Sequence, residues 1–203
     1  MQQHLAEGLT DARALRAALT RIAERERDVW LNRAFGLPDA PPEDGPELPR
    51  GCVPYVPCSV NTLLRMIELA GVGPDDVFVD IGSGAGRAMA FTHLLTGAAA
   101  VGIEIQPALV RDSRELAARL GIERVTVLEG DAVALTGSIT RGSVFFLYCP
   151  FGGERLELVL DRLESIAETR AIRVCTVDLP LPERAWLAPV SEAGELTVYR
   201  SVR

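Results

Sequence analysis

No run of about 18 apolar residues occurs in the chain, so no membrane-spanning helix is expected. The first residues also lack the apolar core of a secretory signal, and a cytoplasmic protein is the default expectation. Basic residues are in deficit: 21 Lys and Arg stand against 28 Asp and Glu, a net charge of −7. Nucleic-acid binders normally carry a basic face, so no nucleic-acid partner is expected. Cysteine is confined to Cys52, Cys58, Cys149 and Cys175, none in a Cys-x-x-Cys pair, with His4 and His93 far from them in sequence. That spacing argues against a zinc site, and disulfides are not expected in a cytosolic chain. Cys175 lies in an apolar run and reads as a small core residue. What remains is ordinary for one globular domain with a small extension: 203 residues, 48% hydrophobic and 24% charged.

The most informative stretch is Val77-Phe-Val-Asp-Ile-Gly-Ser-Gly-Ala-Gly-Arg87. Val77 to Ile81 reads as a buried strand, Gly82 to Gly86 as a turn, and Ala88 to Leu95 as an apolar helix. A glycine turn between strand and helix lets backbone N–H groups approach a ligand at the positive end of the helix dipole. A ligand site is therefore expected at the carboxyl end of this strand. A dinucleotide fingerprint is Gly-x-Gly-x-x-Gly. Here the spacing is Gly82-x-Gly84-x-Gly86, and Arg87 takes the third fingerprint position, where its bulk would obstruct helix–strand packing. A turn that merely relieves strain explains the glycines but leaves Asp80 without a role.

The hydrophobic-Asp-hydrophobic-Gly-x-Gly-x-Gly order resembles motif I of the class I S-adenosylmethionine (SAM) dependent methyltransferases. The resemblance implies that Asp80, Gly82, Ser83, Gly84 and Gly86 wrap the methionine end of SAM. Ahead of it, Tyr55-x-x-x-Ser59, a helix from Val60 to Ala70, and Gly73-Pro-Asp-Asp resemble the non-SET lysine methyltransferases of the disruptor-of-telomeric-silencing family. In that family a Tyr-Gly-Glu-Thr-Ser loop reaches SAM; Tyr55 matches its Tyr, Ser59 its Ser, and Cys58 replaces its Thr. The Val-Pro character of the loop also resembles the mitochondrial lysine methyltransferases that act on an ATP synthase subunit. The likeness covers about residues 54–151 and lacks the basic extensions of the histone enzymes, so a nucleosome substrate is not implied. Ser59 is equally a plain N-cap for the helix that follows.

Ala99 to Glu104 reads as the second strand. Glu104 follows Gly82 by 22 residues, the distance of an acid that binds ribose hydroxyls; the alternative is a solvated strand-end acid. Pro107 opens a helix that stops at Gly121, with Arg111, Asp112, Arg114 and Glu115 on a solvated face. Val125 to Leu128 is the third strand. In Gly130-Asp131-Ala132, Asp131 resembles the acid that accepts the adenine amino group, or is a turn-forming Asp. With Ile105 and Ala132 these residues complete the expected cofactor site. Ser143 to Tyr148 is very apolar and so a central strand. Its end, Tyr148-Cys149-Pro150-Phe151, stands where many amino-group methyltransferases carry Asn/Asp-Pro-Pro-aromatic. Tyr148 offers a hydroxyl or ring face to a cationic acceptor, and with Tyr55 is the candidate catalytic pair; simple packing of Tyr148 and Phe151 is the alternative.

Leu156 to Ala167 reads as a helix, Arg170 to Val177 as the fifth strand, and Trp186 to Val190 with Leu196 to Arg200 as a hairpin turning at Ser191 to Gly194. At the other end, Leu5, Leu9, Ala12, Leu15, Leu19, Ile22 and Val29 recur at helical steps, with Trp30 and Phe35 as anchors. This arm can cover a cleft, form a homodimer face or pack on a sheet edge. Residues 36–54 are proline-rich and read as a linker or covering loop. The expected organisation is residues 1–53 as helical arm and linker, and 54–203 as a Rossmann-like, doubly wound seven-stranded α/β domain. The expected activity is methyl transfer from SAM to an amine such as a protein lysine, without metal or covalent nucleophile. A small-molecule methyltransferase and a SAM-binding module acting through a partner are the alternatives.

Overall fold

The computed structural model describes residues 12–38, 40, 43, 45 and 48–202. Seven strands form one sheet in the order β3-β2-β1-β4-β5-β7-β6: β1 Val77–Ile81, β2 Ala99–Glu104, β3 Val125–Glu129, β4 Val144–Tyr148, β5 Arg173–Val177, β6 Leu187–Ala193 and β7 Leu196–Ser201. The first five pair in parallel, and β7 enters antiparallel between β5 and β6. The helices are α1 Ala12–Arg21, α2 Arg27–Phe35, α3 Val60–Ala70, α4 Arg87–Thr96, α5 Pro107–Leu120, the short α6 Ala132–Leu135, and α7 Gly153–Ala167. This is the expected doubly wound sheet.

Two apolar layers sandwich the sheet because successive strand residues point to opposite faces. Phe78 and Phe146 join Leu63, Met66 and Phe91 on one side. Val79, Phe145 and Leu147 join Val159, Leu160 and Leu163 of α7 on the other. Phe78 and Phe146 lie on neighbouring strands with ring centroids 5.8 Å apart. The reversal of strand order lies between β1 and β4, so the carboxyl ends of those two strands flank the crevice where open α/β sheets bind ligands.

Several expected boundaries shift. β4 starts at Val144, because the Ser143 hydroxyl turns back to the Val77 N–H and Asp76. Helix α7 starts at Gly153 instead of Leu156. β5 starts at Arg173 because the N–H groups of Thr169 and Arg170 still donate to Ile166 O and finish the helix. Residues 191–193, expected as a turn, are strand, and the reversal falls at Gly194 with φ 64°.

In the arm, Leu5 and Leu9 lie outside the described residues. Leu15, Leu19, Leu31 and Phe35 are buried, with Trp30 partly buried against the same core. Val29 is exposed, contrary to expectation. A 3-10 turn at Glu24–Glu26 separates the two helices and resets the phase of the apolar stripe. The described part of the arm packs on helices. Helix α1 lies on α4, and α2 on α3. Among the described residues no helix is long and apolar enough to cross a membrane.

Candidate active site

The glycine turn at the end of β1 sets the site. Gly84 adopts φ 52°, a left-handed conformation that a side chain disfavours. A Cβ there would also stand 2.0 Å from Cε2 of Tyr55. The Tyr55 ring thus lies directly on the turn. Burial pushes the Tyr55 hydroxyl up to about 12, so it is a neutral phenol at physiological pH.

Two acids face this turn from below. Asp80 is 4% exposed and Glu104 6% exposed. One Glu104 oxygen accepts the Gly84 N–H at 2.8 Å, and the other accepts the Gln106 N–H at 2.8 Å. Glu104 therefore ties the end of β2 to the glycine turn. Burial, and then the Glu104 charge, hold the Asp80 carboxyl well above the usual carboxylate range. A buried pair of acids at a glycine-lined strand end is an environment that favours a cationic ligand bearing hydroxyl donors.

Asp131 caps α6 by accepting the Val133 N–H at 2.9 Å. It also pairs with Arg155 of α7 at 2.5 Å. The Arg155 guanidinium lies 6.0 Å from the Phe151 ring centroid, at cation–π distance. Cys149 holds a positive φ of 42°, turning the chain after Tyr148. Pro150 O then accepts the Val53 N–H, and Cys52 bridges to Phe151. The segment Cys52 to Val56 is thereby strapped across the carboxyl end of β4.

Of the residues singled out from sequence, Tyr55, Gly82, Glu104, Ile105, Asp131, Ala132 and Tyr148 line one cleft. The cleft holds a cavity of about 80 Å³ and opens to solvent beside the Cys52–Val56 strap. Asp80, Gly82 and Ser83 line a narrow recess beside it, again with Tyr55 and Tyr148. The structure uses the Ser59 hydroxyl as the cap of α3, where it accepts the Thr62 N–H at 3.1 Å, and Ser59 does not line the cleft. Phe151 is buried and forms part of the cleft wall.

Sequence reasoning passed over Leu48, Cys52, Gln106 and Arg155, which also line the cleft. Arg155 had a weak signal, a basic residue just after Gly152-Gly153 at a helix start; its partnership with Asp131 had none. Arg87, whose bulk set the dinucleotide reading aside, is 3% exposed and held by Asp28 and the Cys58 carbonyl. Among the described residues no three His, Cys, Asp or Glu side chains group as a metal site would need.

The comparisons with known proteins agree with this geometry. An RNA methyltransferase from Salinibacter ruber, solved with S-adenosyl-L-homocysteine, shares 31% identity at a TM-score of 0.58, covering 72% of this chain and 92% of that one. A putative methyltransferase of Escherichia coli, yhhF, has the same fold at 22% identity and TM-score 0.58, covering 76% and 90% of the two chains. A protein-lysine N-methyltransferase of Saccharolobus islandicus is 33% identical over 99 residues, 46% of this chain. The aligned part spans about half, 52%, of that relative. The family model for protein-L-isoaspartate(D-aspartate) O-methyltransferase matches residues 3–135. The glycine turn and buried acids fit SAM, and the chain belongs to the protein-L-isoaspartate(D-aspartate) O-methyltransferase family of class I SAM-dependent methyltransferases.

Proposed function

We propose that this methyltransferase acts on an amine, such as a protein lysine, with residues 54–203 as the catalytic domain and 1–53 as arm and linker. SAM, when bound, supplies a methyl group already activated on a cationic sulfonium. In this reading Gly82 to Gly86 and Asp80 hold its methionine end, Glu104 the ribose, and Asp131 with Ala132 the adenine. Ile105 walls the ring, and Tyr55 closes the turn from above. Tyr148 and Tyr55 flank the acceptor. Their work is to align the nucleophile and exclude water.

The observation that carries the amine reading is an aromatic wall beside acids: Tyr55 and Tyr148 line both the cleft that holds Glu104 and the recess that holds Asp80. A negative field attracts a cationic amine and repels a carboxylate such as the one in the family's description. The name of the Saccharolobus relative and the likeness of the Tyr55 to Ser59 loop to lysine methyltransferases support the same reading. The described arm packs on α3 and α4 and does not line this cleft, while its Asn32 lines a neighbouring cavity on the other side of Tyr55.

An amine must lose its proton before it attacks. With a pKa near 10.4, this costs about 5 kcal/mol at pH 7. Desolvation between Tyr55, Tyr148 and Phe151 would lower that cost.

The test is transfer of labelled methyl from SAM into a whole lysate, separated into protein, nucleic acid and metabolites. Base-stable label in protein, recovered as methyl-lysine after hydrolysis, is expected. The chain has no lysine, so labelled lysine cannot come from the enzyme itself. Base-labile methyl ester, or label confined to RNA, would sink the amine reading.

A further inference from the structure

Arg87 opens α4 immediately after the glycine turn, and its guanidinium is almost wholly buried. A buried cation needs a partner. The partner comes from the arm: Asp28 Oδ1 on α2 accepts Arg87 Nη2 at 2.6 Å. The same oxygen accepts the Val60 N–H at 3.0 Å, the first helical residue of α3. A carboxylate at a helix N-terminus is favourable with the helix dipole. Arg87 Nη1 donates to the Cys58 carbonyl, three residues past Tyr55. The neighbouring Arg27 donates to Asn61 Oδ1 at 2.8 Å and to Leu19 O at 3.2 Å, so consecutive arm residues grip the first turn of α3.

We propose that Asp28 is a positioning residue for cofactor binding. It fixes Arg87, which pins Cys58, which sets Tyr55 against Gly84. This rests on the reading that Gly82 to Gly86 cradle SAM. The arm is then part of the binding machinery through a relay of three contacts, although none of its described residues lines the cleft. Arg87 thereby has a use in the fingerprint position where a dinucleotide loop has glycine. It reaches out from the turn to hold the loop that covers it.

A merely structural role predicts something different. If Asp28 only neutralises the buried Arg87 charge, removing both charges should restore everything, because a buried ion is often replaceable by an apolar residue of similar volume. If Arg87 positions the Tyr55 loop, removing both should restore stability and leave binding impaired. The experiment measures SAM affinity by calorimetry and thermal stability by circular dichroism. It uses the full chain as wild type, Asp28→Asn, Asp28→Glu, and Asp28→Asn combined with Arg87→Met. Asp28→Asn is expected to weaken SAM binding about tenfold, and Asp28→Glu to recover part of that loss. The double variant is expected to regain wild-type melting while its affinity stays about tenfold down. Affinity within twofold of wild type in Asp28→Asn, or affinity that follows melting temperature through the whole set, would overturn the proposal and leave the cofactor reading standing. Absence of SAM binding in the wild type would overturn the cofactor reading, and this proposal with it.

Discussion

Gly84 illustrates how one position answers to two constraints. Its backbone is left-handed, and the space its side chain would fill belongs to Tyr55. Gly84→Ala is therefore expected to cost about 1–2 kcal/mol of backbone strain and to push the Tyr55 ring off the turn. Denaturant titration and SAM calorimetry would read both, with affinity down at least tenfold; unchanged affinity would count against Tyr55 as part of the site. Asp80 carries a pH signature. In the free protein its carboxyl keeps its proton above the ordinary value near 3.8, while the unfolded chain has already lost it. The free fold therefore loses stability as pH rises through the raised value. A cationic ligand favours the ionised acid, so SAM affinity should rise with pH over the same window and then level off. Asp80→Asn should weaken binding and flatten that dependence; a mutant that keeps the wild-type slope would assign it to another group. The glycines and both acids were legible in sequence because φ preference and strand-end placement are local. The raised protonation of Asp80 was not, since it depends on burial and on Glu104.

Helix α3 shows a residue type with two readings. Ser59 suits a cap or an anion donor, and the structure gives its hydroxyl to Thr62. Ser59→Ala should lower stability by about 1 kcal/mol, the usual worth of such a cap, with SAM affinity within about twofold. A larger loss of affinity at unchanged stability would return Ser59 to the cofactor site. The strands were read nearly to the residue where apolar runs end in glycine or an acid. They were misjudged where a helix tail runs on, as at Thr169 and Arg170. In the arm, helical periodicity placed Leu15 and Leu19 inside, and then failed at Val29. A stripe extrapolated across a 3-10 turn loses its phase.

At the scale of the whole molecule, the sheet holds the two halves of the site at the carboxyl ends of β1 and β4, and Phe78 and Phe146 of those strands pack together within a largely aliphatic core. Phe146→Ala should cost about 3–5 kcal/mol. Its loss should lower the midpoint of chemical denaturation without changing the order of events at the cleft; a cost below 1 kcal/mol would mean the Phe78–Phe146 layer repacks easily. Turnover on an amine acceptor should climb between pH 7 and 9 as more acceptor is deprotonated, whereas a carboxylate acceptor, already ionised throughout, would leave that limb flat.

Element type and the glycine turn were legible in the chain, because periodicity, glycine conformation and acid placement act over a few residues, and the cofactor class followed from the likeness of that turn to motif I; the strand order came only with the sheet. The contacts that make these pieces a site were not legible either. Asp28 meets Arg87 across 59 residues, and Asp131 meets Arg155 across 24. Tyr55 comes to rest on Gly84 although a helix and a strand separate them in sequence. Such pairs exist only once the sheet has closed and its two helical layers are packed, since burial supplies both the proximity and the low dielectric that make them count.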